Sequence, residues 1–306
     1  MCGIVGLYFK NASLEQQLGK LFRPMLISMT ERGCDSAGFA IYGDEYDGGI
    51  KLTLRSDNPD FDWNSLADRL ATEFGALDGW FRNNSVAVFK LPASESQALS
   101  WLALHAPEAD VLSAGHSIEI LKGVGLPAEV ADKYSLEQMK GSHAIGHTRL
   151  ATESAVTIEG SHPFSTGMDL CLVHNGSLSN HNRLREKLKR EGIHFKTEND
   201  SEVAAGYLAW RLSQGDSLKT SLEHALKDLD GFFTFTIGTR DGFAVLRDPI
   251  ACKPAVIAET DDYVAMASEY RALANLPGIK DARVWEPEPA KLYVWERGVT
   301  QSEGAV

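Results

Sequence analysis

Cys2 is the residue whose type and position best suit attack on a carbonyl. With Met1 removed, as happens when the next side chain is small, a thiol and a free α-amine share one residue. An α-amine titrates near ~7.7–8.0, so at neutral pH a useful fraction is unprotonated and can take the thiol's proton. Attack on an amide builds a tetrahedral oxyanion, which requires donors already aimed at it. Asn175-Gly176 offers a side-chain amide and, beside it, a glycine N–H with no Cβ in the way. A glutamine-like amide also carries an α-carboxylate and an α-ammonium. Arg149 can grip the carboxylate in a bidentate fork, and Asp200, at the head of a helix, can take the ammonium. Taken singly, these residues have ordinary alternatives: a buried strand thiol, an Asn-Gly turn, a surface ion pair and a helix N-terminal charge.

Several elements must position these groups. The run Ile4–Phe9 is strand-like and would fix Cys2 to a sheet. Residues 13–31 have helical periodicity, broken or restarted at Pro24. Arg32 to Gly38 form a turn into a short strand, Phe39 to Tyr42. Residues 51–140 form a composite middle, with strands near 50–55, 86–91, 111–114 and 118–121 and helices near 64–77, 95–104 and 128–140. No chemical motif stands out there. Beyond 141 the motifs cluster. Gly146–Thr152 closes a strand, His162-Pro163-Phe164 follows a loop, and Leu170–Val173 runs into His174-Asn175-Gly176. A basic helix spans 180–191, and Thr197–Glu202 is cap-like before a helix at 201–213. A helix at 217–228 and strands at 232–238, 243–246, 255–258, 263–267 and 291–295 complete the pattern. Strands and helices without regular β–α alternation predict an α+β fold.

Composition narrows the classes. At 306 residues the chain is one large domain or two small ones. A net charge of −12, scattered rather than blocked, argues against nucleic acid and anionic membranes as partners. No apolar stretch approaches the ~18 residues of a membrane span. The cysteines at 2, 34, 171 and 252 form no Cys-x-x-Cys pair, and no export signal is seen, so a reducing cytoplasm is expected. His143 and His147 have the i, i+4 spacing of a helical metal pair, but the glycines around them indicate a strand or turn, and no third ligand is placed to help. No metal site is expected.

The joint pattern is more specific than any part. Cys2, Gly146-His147-Thr148-Arg149 with Ala151-Thr152, His162-Pro163-Phe164, His174-Asn175-Gly176 and Glu198-Asn199-Asp200 have the order and spacing of the class II glutamine amidotransferases, which this chain resembles. Arg247-Asp248-Pro249, Lys253-Pro254 and Ala267-Ser268-Glu269 are similar to that family's closing strands. The resemblance implies a four-layer αββα N-terminal nucleophile fold, here a single domain over 2–306 with an α/β insertion at about 44–140. It implies Cys2 as nucleophile and Asn175 with Gly176 as oxyanion hole. Arg149 and Asp200 would be substrate clamps, Thr152 and His162 pocket residues, and Arg32 a support for the nucleophile. Leu150 and Glu153 depart from the tryptophan and histidine frequent in relatives, which argues against a hexosamine or purine role. The middle segment resembles stand-alone amidotransferase subunits of split glutamate-synthase-like systems, namely the GlxB-type proteins and the A subunit of N-methylglutamate synthase (methylamine–glutamate N-methyltransferase). In those systems flavin and iron–sulfur centres belong to partner synthase subunits, so no cofactor is expected in this chain. The amide would be glutamine or γ-glutamylmethylamide. A non-catalytic scaffold of the same fold and a free-standing glutaminase remain open.

Overall fold

The fold is organised on β1 (Gly3–Phe9), which is buried on both faces. Strand alternation sends Val5, Leu7 and Phe9 into one apolar core, and Ile4 and Tyr8 into another. The computed structural model describes residues 2–151 and 156–297. After β1 come α1 (Leu18–Ser28), β2 (Ser36–Tyr42), β3 (Ile50–Arg55), α2 (Trp63–Phe74), β4 (Trp80–Asn83) and β5 (Val86–Leu91). Next are α3 (Glu95–His105), β6 (Asp110–Gly115), β7 (Ile118–Val124), α4 (Pro127–Lys133) and β8 (His143–Arg149). The second half holds β9 (Phe164–Gly167), β10 (Leu170–Leu178), α5 (His181–Arg190), α6 (Asp200–Ser213) and α7 (Leu218–Asp228). It closes with β11 (Gly231–Gly238), β12 (Gly242–Arg247), β13 (Val256–Glu259), β14 (Tyr263–Ala267), β15 (Arg283–Trp285) and β16 (Leu292–Glu296).

Two sheets stack face to face. One runs β15-β13-β14-β1-β8-β2-β7, the other β16-β12-β11-β10-β9. Ile4, Ile145, Val173, Phe243, Val245 and Met266 fill the space between them. That layer is tight enough to require glycine at position 6, where a Cβ would lie 2.6 Å from the Phe243 ring of the opposite sheet. On the outer face of the first sheet, α1 and α4 bury Phe22, Leu26 and Val130 with Leu7 and Phe39. On the outer face of the second, the helices α5 to α7 bury Leu188, Val203, Tyr207 and Leu222 with Leu172 and Phe235. The order is helix, sheet, sheet, helix, the four-layer αββα fold expected. Among the described residues no helix is long and apolar enough to cross a membrane.

A third sheet, β4-β5-β3-β6, carries its own core of Leu52, Leu54, Trp63, Leu70, Phe89 and Leu102 under α2 and α3. Of residues 44–140, those from 50 to 115 build this separate unit. β7 returns to the first sheet beside β2, and α4 joins the core beneath α1. Two local expectations need correction. α1 runs through Pro24 without a break, the change of geometry coming earlier, where a 3₁₀ turn at Ala12–Gln17 gives way to α-helix at Leu18. The helix expected at 128–140 ends at Lys133, because Ser135 takes a left-handed conformation (φ 54°) and starts a separate 3₁₀ turn at Leu136–Gln138.

Candidate active site

Strand register explains why residues distant in sequence meet at Cys2. Gly3 pairs with Thr148, Val5 with Ala267, and Ser36 with Arg149, so the N-terminal end of β1 lies beside Arg149–Leu150, Ser268–Glu269 and the start of β2. The Cys2 main-chain oxygen accepts two hydrogen bonds, from Arg32 Nε at 2.9 Å and from Asn175 Nδ2 at 3.1 Å. A carbonyl has two lone pairs, and both are then used, which fixes the residue that carries the thiol. Asn175 reaches across from β10 in the second sheet. Its amide has two N–H groups, so one can hold Cys2 while the other serves an oxyanion. Cys2 Sγ lies 4.0 Å from the Leu150 oxygen and is partly exposed.

The anchors of Arg32 and β1 come from the closing motif. Arg32 Nη1 pairs with Glu269 Oε1 at 2.8 Å. Ser268 exchanges bonds with Ile4: its Oγ accepts from the Ile4 amide at 2.9 Å, and its own amide donates to the Ile4 oxygen at 2.9 Å. The Ala267-Ser268-Glu269 motif therefore secures β1 and Arg32 beside Cys2, a role that its residue types alone did not disclose. Asp35 does the same for the other wall. Its Oδ2 accepts from the Ala151 amide at 2.8 Å, and its own amide donates to the Arg149 oxygen at 3.0 Å. Gly33 lets that turn approach β8, since a Cβ there would lie 2.4 Å from the Thr148 carbonyl carbon.

Asp200 opens α6, after Asn199 caps the helix by accepting from the Ser201 amide at 2.9 Å. Its Oδ2 accepts from the Leu178 amide at 2.8 Å, and Oδ1 accepts from the Ser201 hydroxyl at 3.3 Å. About a fifth of the side chain stays exposed, so the carboxylate is oriented yet still open to a cation. Arg149, at the end of β8, is buried, and its guanidinium lies beside Gly160, where a Cβ would sit 3.4 Å from Nη1. Gly176 must be glycine: φ is 154°, and a Cβ would lie 2.0 Å from the Phe232 oxygen. Thr152 falls outside the described residues.

Beneath this shell lies a layer of buried histidines. The rings of His162 and His147 stack at 4.0 Å, and His147 Nε2 contacts the His174 oxygen at 3.1 Å. His174 Nδ1 meets the Ser201 hydroxyl at 2.9 Å, beside Asp200. Burial pushes His147 down to about 3 and His174 to about 4, and holds His162 well below the ordinary range, with neighbouring His147 adding to the effect. All three are therefore neutral at neutral pH. Neither ring nitrogen of His162 has a hydrogen-bond partner among the described residues. The structure thus brings Cys2, Arg32 and Asn175 into one bonded cluster, with Asp200 and Arg149 at adjoining strand and helix ends. His162 lies in the layer below.

His143 sits at the far end of β8, opposite Tyr8, with its ring stacked on Tyr42 at 3.9 Å. His147 lies four positions further along the strand, a span of roughly 13 Å that a single metal ion cannot bridge. Among the described residues no trio of His, Cys, Asp or Glu is arranged to hold a metal. A cleft of about 700 Å³ lies elsewhere, between the insertion and the loop before α6, lined by Leu99, Leu112, Lys122, Glu159, Phe164 and Glu202. It lies at the joint between the insertion and the rest of the fold, apart from the bonded groups around Cys2.

Residues 147–275 match the glutamine amidotransferase domain family. Over 297 residues the chain is 56% identical to the glutamine amidotransferase-like protein GlxB of Rhizobium meliloti (strain 1021), covering 97% of this chain and 98% of that protein. It is 34% identical over 304 residues to a putative glutamine amidotransferase of Methanothermobacter thermautotrophicus, covering 96% and 99% of the two chains. The solved glutamine phosphoribosylpyrophosphate amidotransferase from B. subtilis aligns with a TM-score of 0.61 and 23% identity, over 96% of this chain and 47% of that one. That likeness concerns the fold alone, and the chain spans about half the length of that enzyme. Register, the groups gathered on Cys2 and end-to-end similarity converge: the chain belongs to the class II glutamine amidotransferases.

Proposed function

We propose that this chain hydrolyses the side-chain amide of glutamine or γ-glutamylmethylamide and hands the freed ammonia or methylamine to a synthase-type partner subunit, as in N-methylglutamate synthase. The observation that carries the hydrolytic part is the double clamp of Asn175 and Arg32 on the Cys2 oxygen. It supports reading Asn175 as an oxyanion donor beside a Cys2 thiol that stays partly open. In the reaction, the Cys2 α-amine takes the thiol proton and sulfur bonds to the δ-carbon. Asn175 and the Gly176 N–H hold the oxyanion. The C–N bond then breaks as the amine passes its proton to the leaving ammonia or methylamine, giving a γ-glutamyl thioester. Water adds, the C–S bond breaks, and glutamate leaves with the thiol restored. Arg149 and Asp200 hold the substrate's α-carboxylate and α-ammonium.

The partner is supported by what surrounds the site. Val124, Leu126, Leu150, Phe232, Ile250 and Tyr270 are exposed apolar residues at or just beyond strand ends. Register puts those of the first sheet at the Cys2 end, since Ser36 pairs with both Val124 and Arg149, and Tyr270 follows Glu269. Exposed apolar side chains at that rim support the reading that a partner protein docks there. Flavin and iron–sulfur centres would belong to that partner. The test compares release of glutamate from the two amides by the purified chain, with and without partner subunits. Hydrolysis enhanced by the partner is expected; an inert chain in both settings would leave a scaffold. One methyl group in an apolar pocket is worth only ~1–3 kcal/mol, so the preferred amide must be measured.

A further inference from the structure

β3 of the insertion alternates Ile50, Leu52 and Leu54, which enter the insertion's own core, with Lys51, Thr53 and Arg55, which are also buried. Arg55 is 2% exposed, and its guanidinium reaches Glu159, in the loop between β8 and β9, at 2.7 Å. Asp57 and Asp110 are its other carboxylate partners, the second at 3.6 Å. The loop that Arg55 holds is tied residue by residue to different elements. Lys122 of β7 donates to the Glu159 oxygen at 3.4 Å and to the Ser161 oxygen at 2.9 Å. The Gly160 oxygen accepts from Asn199 Nδ2 at 3.5 Å, one residue before Asp200, and Gly160 itself lies against the Arg149 guanidinium. The Ser161 hydroxyl bonds to that of Ser36 at 2.9 Å.

From this wiring we infer that Arg55 and Glu159 are positioning residues: through their ion pair the insertion sets the loop that backs the Arg149 carboxylate clamp. The inference rests on the hydrolase reading given above. An ion pair with one buried partner adds little net stability, because desolvation offsets attraction, but it fixes geometry between the elements it joins. The carboxylates Arg55 pairs with are Asp57, Asp110 and Glu159, none of them a residue bonded to Cys2, so its effect should appear in substrate affinity rather than in the chemical step.

Three variants test it. Glu159 is nearly half exposed, so Glu159→Gln leaves no buried charge unpaired, and Arg55 keeps both aspartates. The KM for glutamine should rise roughly three- to tenfold, as for loss of one well-placed charged contact, with kcat within twofold. Glu159→Asp, which keeps the charge on a shorter arm, should restore part of that loss. Asp57→Asn removes a different partner of the same arginine and should leave KM unchanged. An active wild type with an unaltered KM in Glu159→Gln would overturn the inference, as would an equal rise in Asp57→Asn. Glutamine affinity measured calorimetrically in a Cys2→Ala background reads the same clamp without turnover. Binding without hydrolysis in the wild type would therefore sink the hydrolase reading alone, whereas binding that Glu159→Gln does not weaken would sink the positioning role.

Discussion

The sandwich has two kinds of internal joint. Between its sheets the contacts are apolar, with Phe243, Ile145, Val173 and Met266 packed closely enough that Gly6 cannot bear a side chain. Where the insertion meets the sandwich, polar groups are buried instead. Lys51 pairs with Glu119 at 2.5 Å, Arg55 with Glu159, and Asp169 accepts from the His116, Ser117 and Ile118 amides at 2.7, 2.8 and 3.1 Å. Apolar burial supplies cohesion without direction, while paired charges and carboxylate–amide bonds select one orientation. The first joint holds the sheets together; the second ties down the loop at residues 159–161.

The sharpest separation of chemistry from cohesion is Cys2→Ala. It should abolish amide hydrolysis and leave the melting temperature unchanged, because the two bonds at residue 2 fall on its main-chain oxygen. Turnover retained in that variant ends the nucleophile assignment. Asn175→Ala should cost on the order of 10²–10³ in rate, as for other oxyanion donors. A loss below tenfold would reduce Asn175 to a strand residue that happens to bond Cys2. Asp200→Asn should raise KM by roughly tenfold or more through loss of one charge-assisted contact, with the fold kept by the Leu178 amide bond. An unchanged KM contradicts the ammonium clamp.

The smallest effect concerns the apolar joint itself. Burial pushes His143 down to about 3, from the 6.5 of an exposed imidazole. Between those values the unfolded chain binds a proton that the folded chain refuses. Stability from this group is therefore complete above pH ~6.5 and is lost as pH falls toward 3. His143→Phe should flatten the acid limb of the stability curve by about one proton, ~1.4 kcal/mol per pH unit, and leave hydrolysis at neutral pH intact. Denaturant melts across pH 4–7 read this directly, and an unchanged slope would mean His143 is protonated in the fold.

The proposed catalytic end was legible in the sequence as a set of candidates, because the chemistry demands residue types that ordinary packing does not. A thiol at position 2, Arg149, Asn175-Gly176 and Asp200 each answer one charge of the reaction, and register brings their strand ends together. The insertion was legible as strands and helices but not as a partner of the site. Lys51, Thr53 and Arg55 alternate with Leu52 and Leu54, a period that in sequence marks a solvent-facing side. Here that side faces another unit, and periodicity carries no information on what covers a face. Arg55 and Glu159 are 104 residues apart, with no motif around either. The glycines around His143 and His147 were likewise enough to indicate extended chain rather than helix there, and β8 is a strand.

The central claim is that Cys2, freed of Met1, attacks a glutamine-type amide. Intact mass of the purified chain, measured alongside glutamate release from glutamine and γ-glutamylmethylamide, tests it most directly. The expected result is a chain lacking Met1 that releases glutamate from at least one of the two amides, and none after Cys2→Ala. A chain that keeps Met1, or one that hydrolyses neither amide with its partner subunits present, would contradict it.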